Sequence, residues 1–167
     1  MISKEAFNDF MAVVISIFVL ILFITLIYNI AVYVIFSFSH MKALKLAGYR
    51  SPGYAWIPYV NYFAFADAVC EGEYIYIFKF KIPTQYFRFW WVLFILLTFI
   101  PFAGIILAII TRIICMGTIY TKLYAKIEQT TEDKVQVLGY ISGFLNIIAI
   151  VKFFTYKTPV KKVDLTK

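Results

Sequence analysis

A long stretch without charge constrains the fold of this chain more than any other feature of its sequence. Residues 10–39 contain no Asp, Glu, Lys or Arg. An α-helix of that length extends roughly 45 Å, more than the hydrocarbon core of a bilayer at about 30 Å. The stretch is too long for the hydrophobic part of a signal peptide, and no small-residue cleavage site follows it. The sequence therefore predicts a retained membrane helix that tilts or extends beyond the bilayer.

Composition extends this prediction to the rest of the chain. Apolar residues make up 63% of the sequence and charged residues 15%, whereas soluble domains contain about 45–50% and about 25%. Three further apolar stretches follow, at 51–66, 89–111 and 135–151. We therefore predict an all-α integral membrane protein with about four hydrophobic helices.

Proline interrupts the second and third of these stretches. Pro58 lies inside the second, which could cross a bilayer only if its helix continued to about Cys70. The other interpretations are a re-entrant or an interfacial segment. In the third stretch, Pro101 and Gly104 either kink one long helix or mark the turn of a hairpin.

The connector between these two stretches has a different periodicity. From Glu73 to Ile82, aromatic residues alternate with a second set that includes the charged side chains. A period of two predicts a short β-strand near 73–82. Such a strand needs a partner, which could be another copy of the chain, another protein, or residues 84–88 folding back. The alternative is an interfacial segment whose aromatic side chains enter the lipid headgroups.

The positions of lysine and arginine predict an orientation in the cytoplasmic membrane. The N-terminus carries one lysine beside two acids, whereas the 40–50 loop carries three basic residues and no acid. The positive-inside rule therefore places the N-terminus outside and the loop in the cytoplasm. The five lysines from residue 152 onward favour a cytoplasmic C-terminal tail. Both placements together require an even number of crossings between residues 50 and 152, where three apolar stretches lie. Either the second stretch is re-entrant, or the third is a hairpin bent at residues 101–104, or the tail departs from the rule.

The charge balance also indicates partners. The net charge is +7, which favours anionic lipid headgroups, and we expect other membrane protein chains or copies of the same chain in addition. No stretch places basic and stacking residues on one soluble face, so nucleic acid is not expected. We predict one transmembrane helical domain over residues 1–156 and a basic tail over 157–167.

Four polar residues in or beside the apolar stretches are candidate functional residues. Asp67 is either an intramembrane carboxylate with a function or a headgroup-level residue at the end of its segment. Arg112 is either an interfacial snorkelling residue or an ion-pair partner of Asp67. Asn29 and Asn61 are expected to form interhelical hydrogen bonds, and Asn61, close to Pro58, could also line a cavity.

The sequence contains no recognisable set of catalytic residues. His40 is its single histidine, and its place at the end of the first apolar stretch predicts an interfacial residue. One histidine and two distant cysteines do not make a metal site. No serine lies in a Gly-x-Ser-x-Gly setting, and a phosphate-binding glycine-rich loop is missing. We therefore predict a protein that is not an enzyme and that holds no metal or cofactor.

Two proline motifs echo each other and carry a family resemblance. They are Trp56-Ile57-Pro58-Tyr59-Val60-Asn61 and Phe99-Ile100-Pro101-Phe102-Ala103-Gly104. With Lys45-Leu46-Ala47-Gly48 and Trp90-Trp91, they resemble a family of small prokaryotic membrane proteins without an assigned function. The resemblance covers about residues 42–115. The chain departs from the family in its Trp56 spacing, in Gly104 where a second Asn would stand, and in a longer connector at 71–88. The resemblance implies a prokaryotic membrane protein and no particular activity.

These features favour a small subunit or assembly partner of a membrane complex. One alternative is a small homo-oligomeric channel or transporter with its site near Asn61 and Asp67, because broken helices often mark transport sites. Another is an immunity or defence protein that blocks a membrane-active toxin, although no residue selects that hypothesis.

Overall fold

The described part of the chain is mostly helical. A computed structural model describes residues 4–156, with side chains from residue 8 onward. The elements in chain order are α1 Lys4–Leu46, a 3₁₀ helix Pro52–Trp56, α2 Val60–Val69, β1 Tyr74–Ile77, β2 Phe80–Pro83, α3 Thr84–Phe87, α4 Trp90–Thr98, α5 Ala103–Glu128, α6 Glu132–Phe144 and α7 Asn146–Thr155. The predicted basic tail, 157–167, lies outside the described residues.

The chain divides into two compact units, Met1–Phe36 and Ser37–Lys167. The first unit contributes the longer part of α1, and its large apolar side chains from Phe10 to Ile30 are exposed. A helix that is apolar on all sides and exposed is typical of a lipid-facing segment. The chain divides at Phe36, while α1 continues through that boundary as one helix. The single domain expected over residues 1–156 therefore stays a prediction.

Two described helices are long and apolar enough to cross a membrane. They are Asn8–Leu46 within α1, and Ala103–Glu128, which is α5. A crossing takes about 20 residues, whereas α2 has 10, α6 has 13 and α7 has 10. Four crossing helices are therefore not confirmed.

Pro58 and Pro101 lie in turns between separate helices. Pro58 stands between the 3₁₀ helix and α2, and Pro101 between α4 and α5. Helices α4 and α5 pack against each other as a hairpin. Gly104 makes this hairpin tight, because a Cβ there would collide with the carbonyl oxygen of Leu97 and the side chain of Ile100.

The 73–82 connector is a complete β-hairpin. Strands β1 and β2 pair antiparallel, with Ile75 opposite Ile82 and Ile77 opposite Phe80. The strand predicted near 73–82 is present as two short strands, and its partner is the other half of the connector instead of residues 84–88, another protein or another copy of the chain. The predicted alternation holds in β1, where Ile75 and Ile77 are buried and Tyr74 and Tyr76 are exposed.

Helix α5 is the centre of the second unit. It packs against α2, α4 and α6. Successive residues of α6 contact progressively earlier residues of α5. Glu132 lies near Lys122, Tyr140 near Gly117, and Gly143 near Ile113. Helix α6 therefore runs antiparallel to α5 and ends beside residue 113.

Candidate functional site

Asp67 lies at a junction of three segments. Its Oδ1 is 2.7 Å from Nε of Arg88, between α3 and α4, and its Oδ2 accepts a 3.0 Å hydrogen bond from the hydroxyl of Tyr49, after α1. The Arg88 contact is an ion pair by distance, although the Nε–H direction misses hydrogen-bond geometry. The structure thus pairs Asp67 with Arg88, not with Arg112. The carboxylate is one-quarter exposed, at 27%.

The surroundings of Tyr49 explain its electrostatics. Burial is the largest cause that raises the pKa of Tyr49, and the hydrogen bond to Asp67 and the negative charge of Asp67 raise it further, to about 12. The phenol therefore stays neutral at physiological pH and serves as a donor to the carboxylate. Sequence reasoning found Asp67 but missed Arg88 and Tyr49, because neither lies inside an apolar stretch.

His40 is fully buried in the core of the second unit. Its Nε2 lies 2.8 Å from the Tyr120 hydroxyl, and its Nδ1 lies 3.0 Å from Oγ of Ser39. The rings of Phe65 and Phe153 pack against the imidazole at 4.7 and 5.5 Å. The prediction of an interfacial histidine is therefore wrong. An aromatic enclosure around both ring nitrogens suits a packing role better than proton transfer to a bound molecule.

Asn61 and Arg112 have buried polar atoms that no described protein atom satisfies. Asn61 lies on α2 and is 4% exposed, and its Oδ1 has no hydrogen-bond partner among the described residues. The same holds for Nε of Arg112 on α5. The interhelical hydrogen bond expected of Asn61 is thus not formed through this oxygen.

Asn29 has a different setting, on the exposed surface of α1. Its Nδ2 donates a 2.7 Å hydrogen bond to the carbonyl oxygen of Thr25, one turn earlier. The hydroxyls of Thr25 and Ser16 also donate to carbonyls one turn earlier. A primary amide has a second N–H and a carbonyl oxygen, so Asn29 keeps polar groups on a surface that is otherwise apolar.

A close crossing of α5 and α6 was missed by sequence reasoning. A Cβ on Gly143 would lie 2.6 Å from the backbone nitrogen of Gly117, and one on Gly139 would collide with Thr121. Beside these glycines, Tyr124 donates to Ser142 at 2.8 Å. The available signal was Gly-x-x-x-Gly in an apolar stretch, which is typical of closely packed membrane helices.

Ion pairs surround the C-terminal end of α5. Lys122 pairs with Glu132, Lys126 with Glu71 and Lys152 with Glu128 at 2.6 to 2.7 Å. The first two pairs line an open groove of about 540 Å³ beside the β-hairpin. Because each lysine already has a carboxylate partner, this groove lacks the excess charge that an anion site requires.

Residues able to bind a metal do not cluster in residues 4–156. No group of three or more His, Cys, Asp and Glu side chains is placed to hold an ion there.

No family model matches the sequence, and neither curated proteins nor solved structures give a match. The family resemblance and the prokaryotic origin therefore stay predictions from the motifs.

Proposed function

We propose that this chain is a non-enzymatic integral membrane protein that acts as a small subunit or assembly partner of a membrane complex. The observation that carries the proposal is the exposed amide of Asn29 on the apolar surface of α1. Hydrocarbon cannot satisfy its remaining N–H and oxygen, whereas a second membrane helix can. A polar side chain at such a position is expected to hold helices together.

The arrangement of the ionisable groups supports the same proposal. Asp67, Glu71, Glu128 and Glu132 each have a basic partner within the chain. These pairs connect segments of the second unit. These charged groups therefore serve the structure of the chain, and the apolar surface with the amide of Asn29 is what remains for a partner.

The membrane placement follows the charges of the sequence. We propose that α1 crosses a prokaryotic cytoplasmic membrane, with the N-terminus outside and the 40–50 loop in the cytoplasm. The length and apolar composition of Asn8–Leu46 support the crossing. Anionic headgroups are the proposed partners of the excess basic charge.

The proposal is tested by the native mass of the full chain after the mildest workable extraction from its own membrane. We expect a particle that contains other chains in addition to this one of 19.4 kDa. A monomer without partners would contradict the proposal. A clean multiple of the chain mass would replace it with the homo-oligomeric channel or transporter, whose next test is flux through Asn61→Ala and Asp67→Ala variants.

The role of Asn29 is tested in the same particle. Asn29→Leu should weaken assembly by about 0.6–2 kcal/mol, which is roughly a 3- to 30-fold rise in the dissociation constant. Ser16→Ala is the matched control, because that hydroxyl already bonds within α1. Equal affinities for Asn29→Leu and Ser16→Ala would show that the amide does not contribute to assembly.

A further inference from the structure

The hairpin of α4 and α5 carries an apolar surface that no described residue covers. No charged residue occurs from Phe89 to Thr111, and Arg88 and Arg112 directly flank this range. Phe99 and Phe102 at the turn are 79% and 89% exposed. The exposed set continues along both arms, for example at Leu93, Leu96, Ile106 and Ile109.

The uncharged parts of the two arms are each too short to cross a bilayer, although α5 as a whole is long enough. Helix α4 has nine residues, which extend about 14 Å at about 1.5 Å per residue. The part of α5 that precedes Arg112 has a similar length. Half of the hydrocarbon core is about 15 Å thick, whereas a full crossing needs about 20 residues. The hairpin thus matches the depth of one leaflet.

The charged residues of α5 all lie at or after Arg112. The ion pairs of Lys122, Lys126 and Glu128 lie about 15–24 Å beyond Arg112 along the helix axis. The opposite end of α5 is the apolar turn. One end of this helix therefore suits water and headgroups, and the other end suits acyl chains.

A second apolar corner lies level with Arg112. Helices α6 and α7 meet at Phe144 and Leu145, which are exposed together with Ile147. Gly143 places this corner beside Ile113 of α5. This corner therefore lies at the level of α5 at which the apolar surface of the hairpin begins.

We propose that the α4–α5 hairpin is a re-entrant membrane segment, which enters the acyl chains of one leaflet and returns on the side from which it entered. Arg88 and Arg112 then lie at headgroup depth, where the guanidinium group of Arg112 meets lipid phosphates and that of Arg88 keeps its ion pair with Asp67. At the turn, the N–H groups of Phe99 and Ile100 donate to the carbonyl oxygens of Leu96 and Leu97, and Pro101 has no N–H. Fewer backbone N–H groups at the turn are therefore left to face the acyl chains.

This inference rests on the membrane assignment of the proposed function and adds the topology of the second unit. A hairpin that does not cross contributes no crossings between residues 50 and 152, and zero is an even number. The basic 40–50 loop and the basic C-terminal tail can then share one side of the membrane, as the positive-inside rule requires.

The experiment uses the full chain in vesicles of phosphatidylcholine and phosphatidylglycerol in equal parts. Single cysteines are introduced by Phe102→Cys, Ile106→Cys, Gln85→Cys, Thr131→Cys and Leu20→Cys into a Cys70→Ala, Cys115→Ala background. Each is tested with a water-soluble maleimide from either side of the membrane. Each also carries an environment-sensitive fluorophore, whose depth is measured by quenching with lipids that bear nitroxides at the headgroup or along the acyl chain.

The expected result is loss of maleimide labelling at 102 from both sides, with labelling at 85 and 131 from one and the same side. The fluorophore at 102 should be quenched most by the deepest nitroxide, and the one at 106 by a shallower nitroxide. Labelling at 102 from the side opposite to 85 or 131 would show a crossing and overturn the inference. Labelling at 102 from the same side, without quenching, would show that the turn lies outside the lipid and would equally overturn it.

Leu20 in α1 separates this inference from the assignment on which it rests. Protection and deep quenching at 20 together with free labelling at 102 would reject the re-entrant hairpin and keep the membrane protein. Free labelling at 20 would reject the membrane assignment itself. Because Phe102, Ile106 and Leu20 are all exposed, their substitution leaves the packed core unchanged.

Discussion

At the scale of single residues, the burial of Tyr49 and its hydrogen bond to Asp67 make stability depend on alkaline pH. The pKa of Tyr49 is raised to about 12 in the folded chain, compared with about 10 for an unfolded tyrosine. Because the folded state favours the neutral phenol, its contribution to stability is complete below about pH 10. That contribution is lost as the pH rises from about 10 to about 12.

The measurement compares thermal unfolding of the parent chain and Tyr49→Phe from pH 8 upward. The difference in melting temperature should stay constant to about pH 10 and then shrink toward pH 12, because only the parent chain has this ionisable group. Tyr86→Phe removes an exposed hydroxyl and is the control. A difference that does not change across the alkaline range would contradict the role of Tyr49.

The same residues show what sequence reasoning can find at this scale. Asp67 was identifiable because a carboxylate at the end of an apolar stretch is costly without a partner. Its partner was not, because Arg88 lies beyond a β-hairpin that sequence did not reveal. His40 was misplaced for a related reason: its burial depends on Tyr120 and Phe153, which are distant in sequence.

At the scale of elements, the crossing of α5 and α6 depends on glycine. A Cβ on Gly143 would lie within 2.8 Å of backbone atoms of Gly117 and Ile113, and backbone atoms cannot rotate away. Gly143→Ala should therefore separate the helices and lower the free energy of unfolding by about 1–3 kcal/mol. Unfolding in mixed micelles with increasing denaturing detergent measures this loss.

Gly53→Ala is the matched control for that measurement. A Cβ on Gly53 would meet nothing within 4 Å, so its effect should stay within about 0.5 kcal/mol. Equal stabilities of the two alanine variants would mean that α5 and α6 do not approach as closely as their backbones indicate.

The β-hairpin shows why local pattern was only partly informative about the elements. Alternation correctly separated the buried Ile75 and Ile77 from the exposed aromatics of β1. The turn was invisible, because hairpin turns usually carry Gly or Asn at positions of positive φ, and here Phe78 occupies one at 53°. The ring of Phe78 stacks on Tyr140 at 5.3 Å, a tertiary contact that compensates for the unusual backbone.

At the scale of the whole molecule, composition indicated hydrophobic segments without showing how deeply each one enters the membrane. A charge-free stretch of about 20 residues is the same in composition whether it forms one crossing helix or two short arms. The stretch from 89 to 111 contains α4, a turn and the start of α5. What separates the two outcomes is the close approach at Gly104, which depends on tertiary geometry and not on hydropathy.

A chain with both a crossing helix and a re-entrant hairpin has two attachments to the membrane. Either attachment alone should hold the chain on the membrane. The second unit, residues 37–167, contains its own core around His40, Tyr120 and Phe153. Without residues 1–36 it should still sediment with vesicles, because burying the exposed side chain of Phe99 or Phe102 in lipid is worth about 1.5–3 kcal/mol.

Replacing both of these phenylalanines by lysine should release the shortened chain into the supernatant, since each lysine deep in the bilayer costs about 2.5–3.5 kcal/mol. The same Phe99→Lys, Phe102→Lys pair in the full chain should leave it attached through α1. Circular dichroism of the shortened chains checks that both are helical. A folded 37–167 chain that stays in solution while its phenylalanines are intact would show that α1 is the sole attachment, and that the hairpin surface is covered by another protein instead of lipid.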